Sequence, residues 1–261
     1  MSNYQAPTVR KAFQILRDIT GSSTGRSISE LSRGLGISKS TVHGILSALE
    51  AEGAIVRDPD SKRYKPGLTL LELGHLSGST LILRDVARPH IEALMAKTGE
   101  SVFFGTRSGQ DVMILDSVES GHDLKIISAA GTRLPLLAGA TGKAFLSMMT
   151  DDQAGEIIQE QGLRRYTDKT VTDPAQLLEQ VRRVRETGYA TDDEEYITGV
   201  RAVAAPIAGN GMMPSAVWVV GFAPNLTSEK MTYAAAAAKS AAVAIHQGAV
   251  DRFTGPGREI Q

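Results

Sequence analysis

Cysteine is absent from all 261 residues of the chain. Without thiols the protein can form no disulfide framework, use no cysteine nucleophile, and hold no zinc or iron–sulfur centre through cysteine. The absence is also compatible with a reducing compartment. The sequence therefore directs attention away from redox and thiolate chemistry.

Long apolar runs are missing as well. A membrane-spanning helix needs about 20 consecutive apolar residues, whereas the longest apolar stretch, residues 233–244, is interrupted by Lys239 and Ser240. Residues 1–7 are polar and lack the charged and apolar regions of a secretory signal. We therefore expect a soluble, cytoplasmic protein with no membrane partner.

The net charge of −1 hides an uneven distribution along the chain. Residues 1–77 contain 10 of the 28 Lys and Arg residues and 7 of the 29 Asp and Glu residues, so this part carries +3 and the remainder −4. A basic front on an acidic body suits a polyanionic partner at one end. The length and the 42% hydrophobic content are sufficient for one small and one medium packed domain.

The first part of the chain has the pattern of a helix-turn-helix. Apolar residues between positions 9 and 19 recur at helical spacing, and Ser27 to Glu30 has the Ser-x-x-Glu form that begins a second helix. Gly36 ends that helix, Ser38 caps a third, and Gly53 follows the third. Two helices joined by a short glycine-containing turn are typical of DNA-binding proteins.

The outward face of the third helix carries short polar or small side chains. These are Lys39, Ser40, His43, Gly44 and Ser47. Such a face can lie against a DNA groove, where its first turns contact phosphates or base edges. The alternative interpretation is an ordinary solvated surface helix.

A basic hairpin is predicted directly after this helix. Residues 55–57 and 63–65 have strand character and flank the turn-forming segment 58–61. This order is typical of a winged helix-turn-helix, in which we expect Lys62 and Arg63 to reach an adjacent groove or phosphates. The alternative is a hairpin whose cations only aid solubility. The DNA-binding residues predicted from the sequence are Arg26, Ser38, Lys39, Ser40, Thr41, His43, Ser47, Lys62 and Arg63.

A joint at residues 77–79 separates this region from the rest. We expect a winged helix-turn-helix domain at 1–77, a linker helix at 78–98, a larger domain at 99–248 and a tail at 249–261. Pro89 predicts a kink or break in the linker helix, since proline removes a backbone donor and crowds the preceding turn. Its apolar residues Leu81, Leu83 and Val86 either form a dimer seam or pack onto their own domain.

The larger domain has strand candidates grouped around helices. Strands are predicted at residues 101–107, 111–118, 124–130, 203–207 and 216–222, and helices at 142–149, 152–159, 174–187 and 228–246. Strands in hairpins with helices grouped between them indicate an α+β sheet domain rather than a regular βαβ repeat.

The usual signatures of an enzyme are weak or absent. Residues 139–143 resemble a phosphate-binding loop, but Leu137 stands where that pattern needs glycine and Ala144 where it needs Ser or Thr. The acidic run 192–195 suits a solvated loop better than a metal or acid–base cluster. The five histidines are scattered without metal-ligand spacing, and no Gly-x-Ser-x-Gly elbow occurs. We expect no catalysis, no metal and no cofactor.

Three stretches of the sequence resemble the IclR family of bacterial transcriptional regulators. Residues 38–43 followed by Ile45-Leu46 resemble its recognition helix, and 131–136 leading to 141–144 resemble its effector loop. Residues 188–190 with Asp192, Glu195, 199–201 and 204–207 resemble its signature before the final strands. The likeness extends from about Val9 to His246.

The resemblance implies a winged helix-turn-helix, a linker helix and a GAF-like effector domain that assemble as a dimer or a dimer of dimers on a palindromic operator. Family effectors are small organic molecules, often acids or aromatics, and members repress or activate. The implied effector residues are Ile126, Leu134, Ala140 and Thr141 on the loop side, and Asp192, Val200, Ala202, Val219 and Gly221 on the signature side. The competing classes are an enzyme with an attached DNA-binding module and an architectural DNA binder that senses no ligand.

Several positions depart from the family pattern. Leu137 replaces a frequent His, Ala202 a frequent Cys, and Gly44 a common Arg, while Val219 and Gly221 replace hydroxyl residues that hold carboxylate ligands in some members. A buried carboxylate without partners costs several kcal/mol. We therefore expect an uncharged or partly apolar effector, or else an acid held by Thr141 and backbone amides.

Overall fold

The computed structural model describes residues 6–76, 79–209 and 212–254. The chain divides into two compact units between Leu81 and Ile82. Residues 77 and 78 of the predicted joint, and residues 255–261 of the predicted tail, lie outside the described residues. Each unit is considered by itself.

The first unit is built on helices α1 (Pro7–Thr20), α2 (Ile28–Leu35) and α3 (Lys39–Ala51). Their apolar faces meet in a small core that includes Ile19 and Leu46 and excludes solvent from both residues. The amphipathic pattern read from the sequence therefore predicts these helices correctly, because one stripe of each is buried against the others.

Local capping fixes where α2 and α3 begin. The Ser27 hydroxyl accepts the N–H of Glu30 at 3.3 Å while the Glu30 carboxylate accepts the N–H of Ser27 at 2.8 Å, which completes the predicted capping box. Gly36 adopts a φ of 65°, the left-handed conformation that ends α2 and turns the chain toward α3. Ser38 then caps α3 by accepting the N–H of Thr41 at 3.2 Å.

The wing follows as strands β1 (Ile55–Arg57) and β2 (Tyr64–Pro66), which pair antiparallel. The Asp58 carboxylate organises the turn between them by accepting the N–H of Ser61 at 2.9 Å and the ammonium of Lys65 at 3.1 Å. Helix α4 (Leu68–Leu76) closes the first unit.

The second unit contains one antiparallel sheet of six described strands in the order β5-β4-β3-β8-β7-β6. The strands are β3 (Ser101–Ser108), β4 (Asp111–Val118), β5 (Arg133–Pro135), β6 (Ala190–Asp193), β7 (Val200–Ile207) and β8 (Ser215–Phe222). The helices are α5 (Ser79–Thr98), α6 (Gly139–Ser147), α7 (Asp151–Gln161), α8 (Pro174–Thr187) and α9 (Ser228–Thr254).

Both faces of this sheet are covered. One face packs Val102, Val217 and Val219 against α5 and α9 in the larger core. The other face directs Phe103 and Trp218 toward α6 in a second core. Because successive residues of a strand point to opposite faces, neighbours in β3 and β8 belong to different cores.

Three details of the second unit differ from the sequence-based expectations. Residues 124–130, all described, form no strand, although the sequence predicts one there. The short strand β5 follows them and pairs with β4. The sequence pattern predicts neither β5 nor β6. Helix α5 runs unbroken through Pro89, so of the predicted kink or break the break is wrong and the kink stays a prediction. Of the two alternatives for the apolar residues of α5, Leu83 and Val86 pack into the core of their own unit. The side chain of Leu81 is not among the described ones.

Helix α6 packs closely at Gly142 against the segment that leads into it. A Cβ on Gly142 would lie 2.5 Å from the Leu136 carbonyl oxygen, whereas a Cβ on Gly155 in α7 would meet nothing within 4 Å. The close contact brings the start of α6 against the 133–138 segment. None of the helices in the described part of the chain is long and apolar enough to cross a membrane.

The two glycines provide a matched test of this packing. Gly142→Ala should lower the free energy of unfolding by about 1–3 kcal/mol, the usual cost of overpacking. Gly155→Ala should raise it by about 0.5–1 kcal/mol, because alanine is the better helix former. Urea denaturation followed by the fluorescence of Trp218, the chain's single tryptophan, measures both, and equal effects of the two substitutions would contradict the proposed contact.

Candidate functional site

The described structure exposes one polar face on α3. Ser38, Lys39, Ser40, His43 and Ser47 are exposed there, and Thr41 is half-buried. The hydroxyls of Ser38, Ser40 and Thr41 contact one another across the first turn, with Ser38 Oγ 2.8 Å from Thr41 Oγ1 and 3.1 Å from Ser40 Oγ. Within the described residues, Lys39 and His43 form no ion pair, so both side chains are free to meet a partner.

The arginines predicted to bind DNA are engaged within the first unit. Arg63 donates to both carboxylate oxygens of Glu30, at 2.8 and 2.9 Å, and to the Gly25 carbonyl oxygen at 3.1 Å. Arg26 is paired with Asp18. In this structure both guanidiniums hold the wing and α1 against the start of α2, and their contact with DNA stays a prediction.

The ion pair between Glu30 and Arg63 therefore connects the capping box to the wing. The N–H of Ser27 and the guanidinium of Arg63 lower the pKa of Glu30 from 4.5 to about 2. Among the predicted wing contacts, Lys62 remains exposed, with a positive φ of 56° and its ammonium directed back to the Pro59 carbonyl.

The second unit contains an apolar cavity of about 110 Å³ between the sheet, the start of α6 and the 124–138 segment. Its wall includes seven of the nine residues that the sequence pointed to. These are Ile126, Leu134, Ala140, Thr141, Asp192, Val200 and Ala202.

Val219 and Gly221, which the resemblance implied, do not line this cavity. Val219 lies in the core on the opposite face of the sheet, and a Cβ on Gly221 would lie 2.6 Å from the carboxylate of the buried Glu100. Their neighbours Trp218 and Val220 face the cavity instead. A shift of one residue in a strand moves a side chain to the other face, and the uniformly apolar β8 gave no alternation to reveal it.

Other wall residues were missed because they are apolar core residues in the sequence pattern. Phe103 stacks on Trp218 with ring centroids 5.9 Å apart, and Ile114 lies beside them. Tyr196 and Ile197 close the side formed by the turn between β6 and β7. Only the topology, which places β8 next to β3, brings these residues together.

Asp192 is the only charged residue among those lining the cavity, all of which the structure describes. Its side chain is 5% exposed, and its carboxylate accepts the N–H of Glu195 at 2.6 Å. Burial, together with the nearby charge of Glu195, raises the pKa of Asp192 from 3.8 to about 6, although the backbone N–H groups of Glu195 and Tyr196 favour the charged form. Removal of a carboxylate from water disfavours its ionised state.

The carboxylate of Asp192 lies against the beginning of α6. A Cβ on Gly139 would be 2.0 Å from Asp192 Oδ2, so only glycine allows this approach, and Gly139 has a φ of 55°. No side chain of the described residues caps α6 at Ala138. A negative charge placed there is favoured by the unsatisfied N–H groups of the first turn.

A buried ion pair connects the two walls of the cavity. Lys143 of α6 donates to the Glu195 carboxylate at 2.6 Å and to the Thr191 carbonyl oxygen at 2.8 Å, and its side chain is 5% exposed. Glu195 is the same residue whose N–H bonds Asp192. The lysine of the phosphate-loop-like segment is thus a structural residue.

A second segment supports the turn from outside. Thr167 and Thr170 each donate a hydroxyl at 2.7 Å, to the carbonyl oxygens of Glu194 and Glu195 respectively. Tyr166 packs edge-on against Tyr196, with centroids 4.9 Å apart. The acidic run 192–195 is therefore the end of β6 and the ordered turn after it, and the expectation of a solvated loop is wrong for the buried Asp192. Residues 6–76, 79–209 and 212–254 contain no cluster of His, Cys, Asp or Glu able to hold a metal ion.

Two protein-family models match this chain. A model described as the IclR helix-turn-helix domain matches residues 8–59, and one described as the bacterial transcriptional regulator IclR C-terminal domain matches residues 76–247. The chain belongs to the IclR family. It is a DNA-binding transcriptional regulator with a C-terminal effector-binding domain.

Curated relatives of this chain are named as regulators. The HTH-type transcriptional regulator BhcR of Paracoccus denitrificans is 34% identical over 197 residues, which cover 76% of this chain and 70% of BhcR. The transcriptional repressor IclR of Escherichia coli is 27% identical over 231 residues, which cover 87% of this chain and 84% of that protein.

Solved structures of the family share the fold. The IclR regulator from Alicyclobacillus acidocaldarius superimposes with a TM-score of 0.78 at 25% identity, over 94% of this chain and 100% of that one. An IclR homologue from Microbacterium hydrocarbonoxydans, solved with 4-hydroxybenzoate, gives a TM-score of 0.79 at 23% identity, over 93% of this chain and 98% of that one.

The ion pair behind the cavity yields a stability prediction. Lys143→Met leaves the largely buried Glu195 carboxylate without its partner and should lower the free energy of unfolding by about 3–5 kcal/mol. The double variant Lys143→Met/Glu195→Gln should recover part of that loss. Denaturation followed by Trp218 fluorescence measures both, with Lys169→Met as the control, since Lys169 pairs with Glu194 on the exposed surface. A Lys143→Met protein as stable as the Lys169→Met protein would refute the assignment.

Proposed function

We propose that this chain acts in the bacterial cytoplasm as a homo-oligomeric regulator, a dimer or a dimer of dimers, on a palindromic operator. An uncharged or partly apolar organic effector binds in the cavity and changes the affinity for DNA. The observation that carries the proposal is the apolar cavity of about 110 Å³ in the same chain as the exposed face of α3.

The proposed DNA contacts are the exposed residues of α3. Lys39 at the helix start supplies a cation for a phosphate, while Ser40, His43 and Ser47 provide donors and acceptors for base edges. The hydroxyls of Ser38 and Thr41 are used mainly in the cap, so we assign these two a positioning role. In a dimer, two such helices enter successive major grooves about 34 Å apart.

The proposed effector site consists of the cavity wall. It includes the seven predicted residues that line the cavity, together with Phe103, Ile114, Tyr196, Trp218 and Val220. Apolar cavities of roughly 150 Å³ hold one benzene ring, so the observed volume suits a small molecule of about that size. The 4-hydroxybenzoate bound by the Microbacterium hydrocarbonoxydans homologue supports an organic effector of such dimensions.

Effector control requires only a modest coupling between the two sites. A difference of about 1–3 kcal/mol changes DNA affinity five- to 150-fold. A thermal-shift screen of metabolites, followed by gel shifts of the DNA upstream of this gene with each hit, tests the proposal. A hit that stabilises the protein and changes its DNA affinity supports it, whereas DNA affinity unaffected by every stabilising hit contradicts it.

Lys39→Ala should weaken binding to all DNA sequences by a similar factor and reduce the slope of log affinity against log salt by about 1, because one phosphate contact is lost. His43→Ala should instead alter the preference at one base position. Fluorescence anisotropy with a panel of operator variants at several salt concentrations measures both. Lys97→Ala, an exposed lysine of the second unit, is the control with the same charge change. Equal salt slopes for Lys39→Ala and Lys97→Ala would show that Lys39 touches no phosphate, and unchanged operator binding in both Lys39→Ala and His43→Ala would argue against α3 as the reader.

A further inference from the structure

The wing is attached to the segment that begins α2 at two points. The first is a backbone bridge between Arg26 and Tyr64 of β2, in which each N–H donates to the other residue's carbonyl oxygen, at 3.0 and 2.7 Å. The second is the side chain of Arg63. A single bridge leaves a hairpin able to pivot, whereas a second attachment fixes its angle.

Arg63 is held by three residues from outside the wing. Its Nε donates to the carbonyl oxygen of Thr24 at 3.2 Å, and its Nη2 donates to that of Gly25 at 3.1 Å. The same Nη2 donates to both carboxylate oxygens of Glu30, at 2.8 and 2.9 Å. Hydrogen bonds between two charged groups are stronger than those between neutral groups. The guanidinium of Arg63 is therefore committed to the start of α2.

Glu30 places the other end of this contact on the helix-turn-helix. The next residue, Leu31, is buried in the core that α2 shares with α3. The hydroxyl of Ser32 donates to the Ile37 carbonyl oxygen at 2.7 Å and so fixes the turn between the two helices. The Arg63–Glu30 pair therefore connects the wing to the part of the unit that carries α3.

The other cations of the wing are of two kinds. Lys65 is paired with an aspartate of the turn at 3.1 Å. Arg57 and Lys62 are exposed and form no ion pair within the part of the chain that the structure describes. A phosphate can reach these two cations without breaking an ion pair. To reach Arg63 it would have to displace Glu30.

We propose that the Arg63–Glu30 pair fixes the angle of the wing relative to α2 and α3, which makes Arg63 a positioning residue for DNA binding and leaves the phosphate contacts of the wing to Arg57 and Lys62. The inference rests on the proposed function, in which α3 lies in a DNA groove, and it replaces the predicted contact of Arg63 with DNA. A wing already held in its binding position loses less conformational freedom when DNA binds.

Glu30→Gln separates this role from a simple effect of charge. Glutamine still completes the capping box, so α2 keeps its start while Arg63 loses its charged partner. Removal of a negative charge near DNA would by itself strengthen binding. Loss of the wing's angle should instead weaken binding about two- to fivefold, because the affinity falls with the fraction of molecules whose wing is in place.

Glu50→Gln is the matched control. Glu50 is exposed on α3 and has no ion pair among the described residues, so its substitution makes the same charge change without touching the wing. The Glu50→Gln protein should bind DNA no more weakly than the unmodified protein. Fluorescence anisotropy of the full-length protein on the DNA upstream of its gene measures the affinities, and circular dichroism verifies that each variant is folded.

Arg63→Gln should weaken DNA binding by a similar factor and leave the slope of log affinity against log salt unchanged, because no phosphate contact is lost. Lys62→Gln should reduce that slope by about 1. In a protein that already carries Arg57→Gln and Lys62→Gln, Arg63→Gln should have no further effect, because the wing then has no contact left to position. A residue that only maintained the fold would weaken binding in both backgrounds.

Two results would overturn the proposal. One is binding by the Glu30→Gln protein as tight as that of the Glu50→Gln protein. The other is a salt slope reduced as much by Arg63→Gln as by Lys62→Gln, which would make Arg63 a phosphate contact. If the Arg63→Gln protein does not fold, Glu30→Gln, which keeps the cap, decides alone.

The substitutions in α3 separate this proposal from the proposed function. If Lys39→Ala weakens DNA binding while the Glu30 and Arg63 variants change nothing, the positioning role is wrong and the contact of α3 with DNA stands. Unchanged binding in both Lys39→Ala and His43→Ala would instead count against the proposed function.

Discussion

The effector domain depends on the placement of one carboxylate beside the start of α6. Asp192 reaches Gly139 because glycine leaves room for it, and it accepts the N–H of Glu195, whose own carboxylate holds Lys143 of α6. One chain of contacts therefore fixes both the helix and the β6–β7 turn that enclose the cavity. The burial has a cost: the pKa of Asp192 rises from 3.8 to about 6, so the stability it contributes is present below pH 4 and is lost as the pH rises through 6.

Burial in the wall of the cavity together with a raised pKa makes Asp192 a candidate functional residue. Buried polar groups with perturbed pKa values concentrate at functional sites. Helix α6 contributes Thr141 to the cavity wall, and the turn after β6 contributes Tyr196.

The first unit was largely predictable from the sequence, because its signals are local. The capping box at Ser27 and Glu30, the glycine that ends α2 and the apolar stripe of each helix lie within a few residues of one another. The sequence could not predict which carboxylates the arginines of this unit contact. Arg63 lies 33 positions after Glu30, and only the folded hairpin shows that this arginine is engaged within the unit.

The second unit was predictable in class but not in detail, for a physical reason. Strand β8 is apolar on both faces because both are covered, so alternation could not assign Val219 to one core and Trp218 to the other. The short β5 and β6 carry too few residues to show a period. The resemblance to the family led to most of the cavity wall, but the carboxylate's position at α6 emerged only from the three-dimensional structure.

The most direct test of this account is the pKa of the Asp192 side chain itself. A carbon-13 NMR titration of the aspartate side-chain carboxyl carbons, with Asp192→Asn to assign the signal, measures it in the intact protein. We expect a midpoint at about 6, because the carboxylate is buried beside Glu195. A midpoint close to the ordinary aspartate value would show that the carboxylate is not buried in the cavity wall.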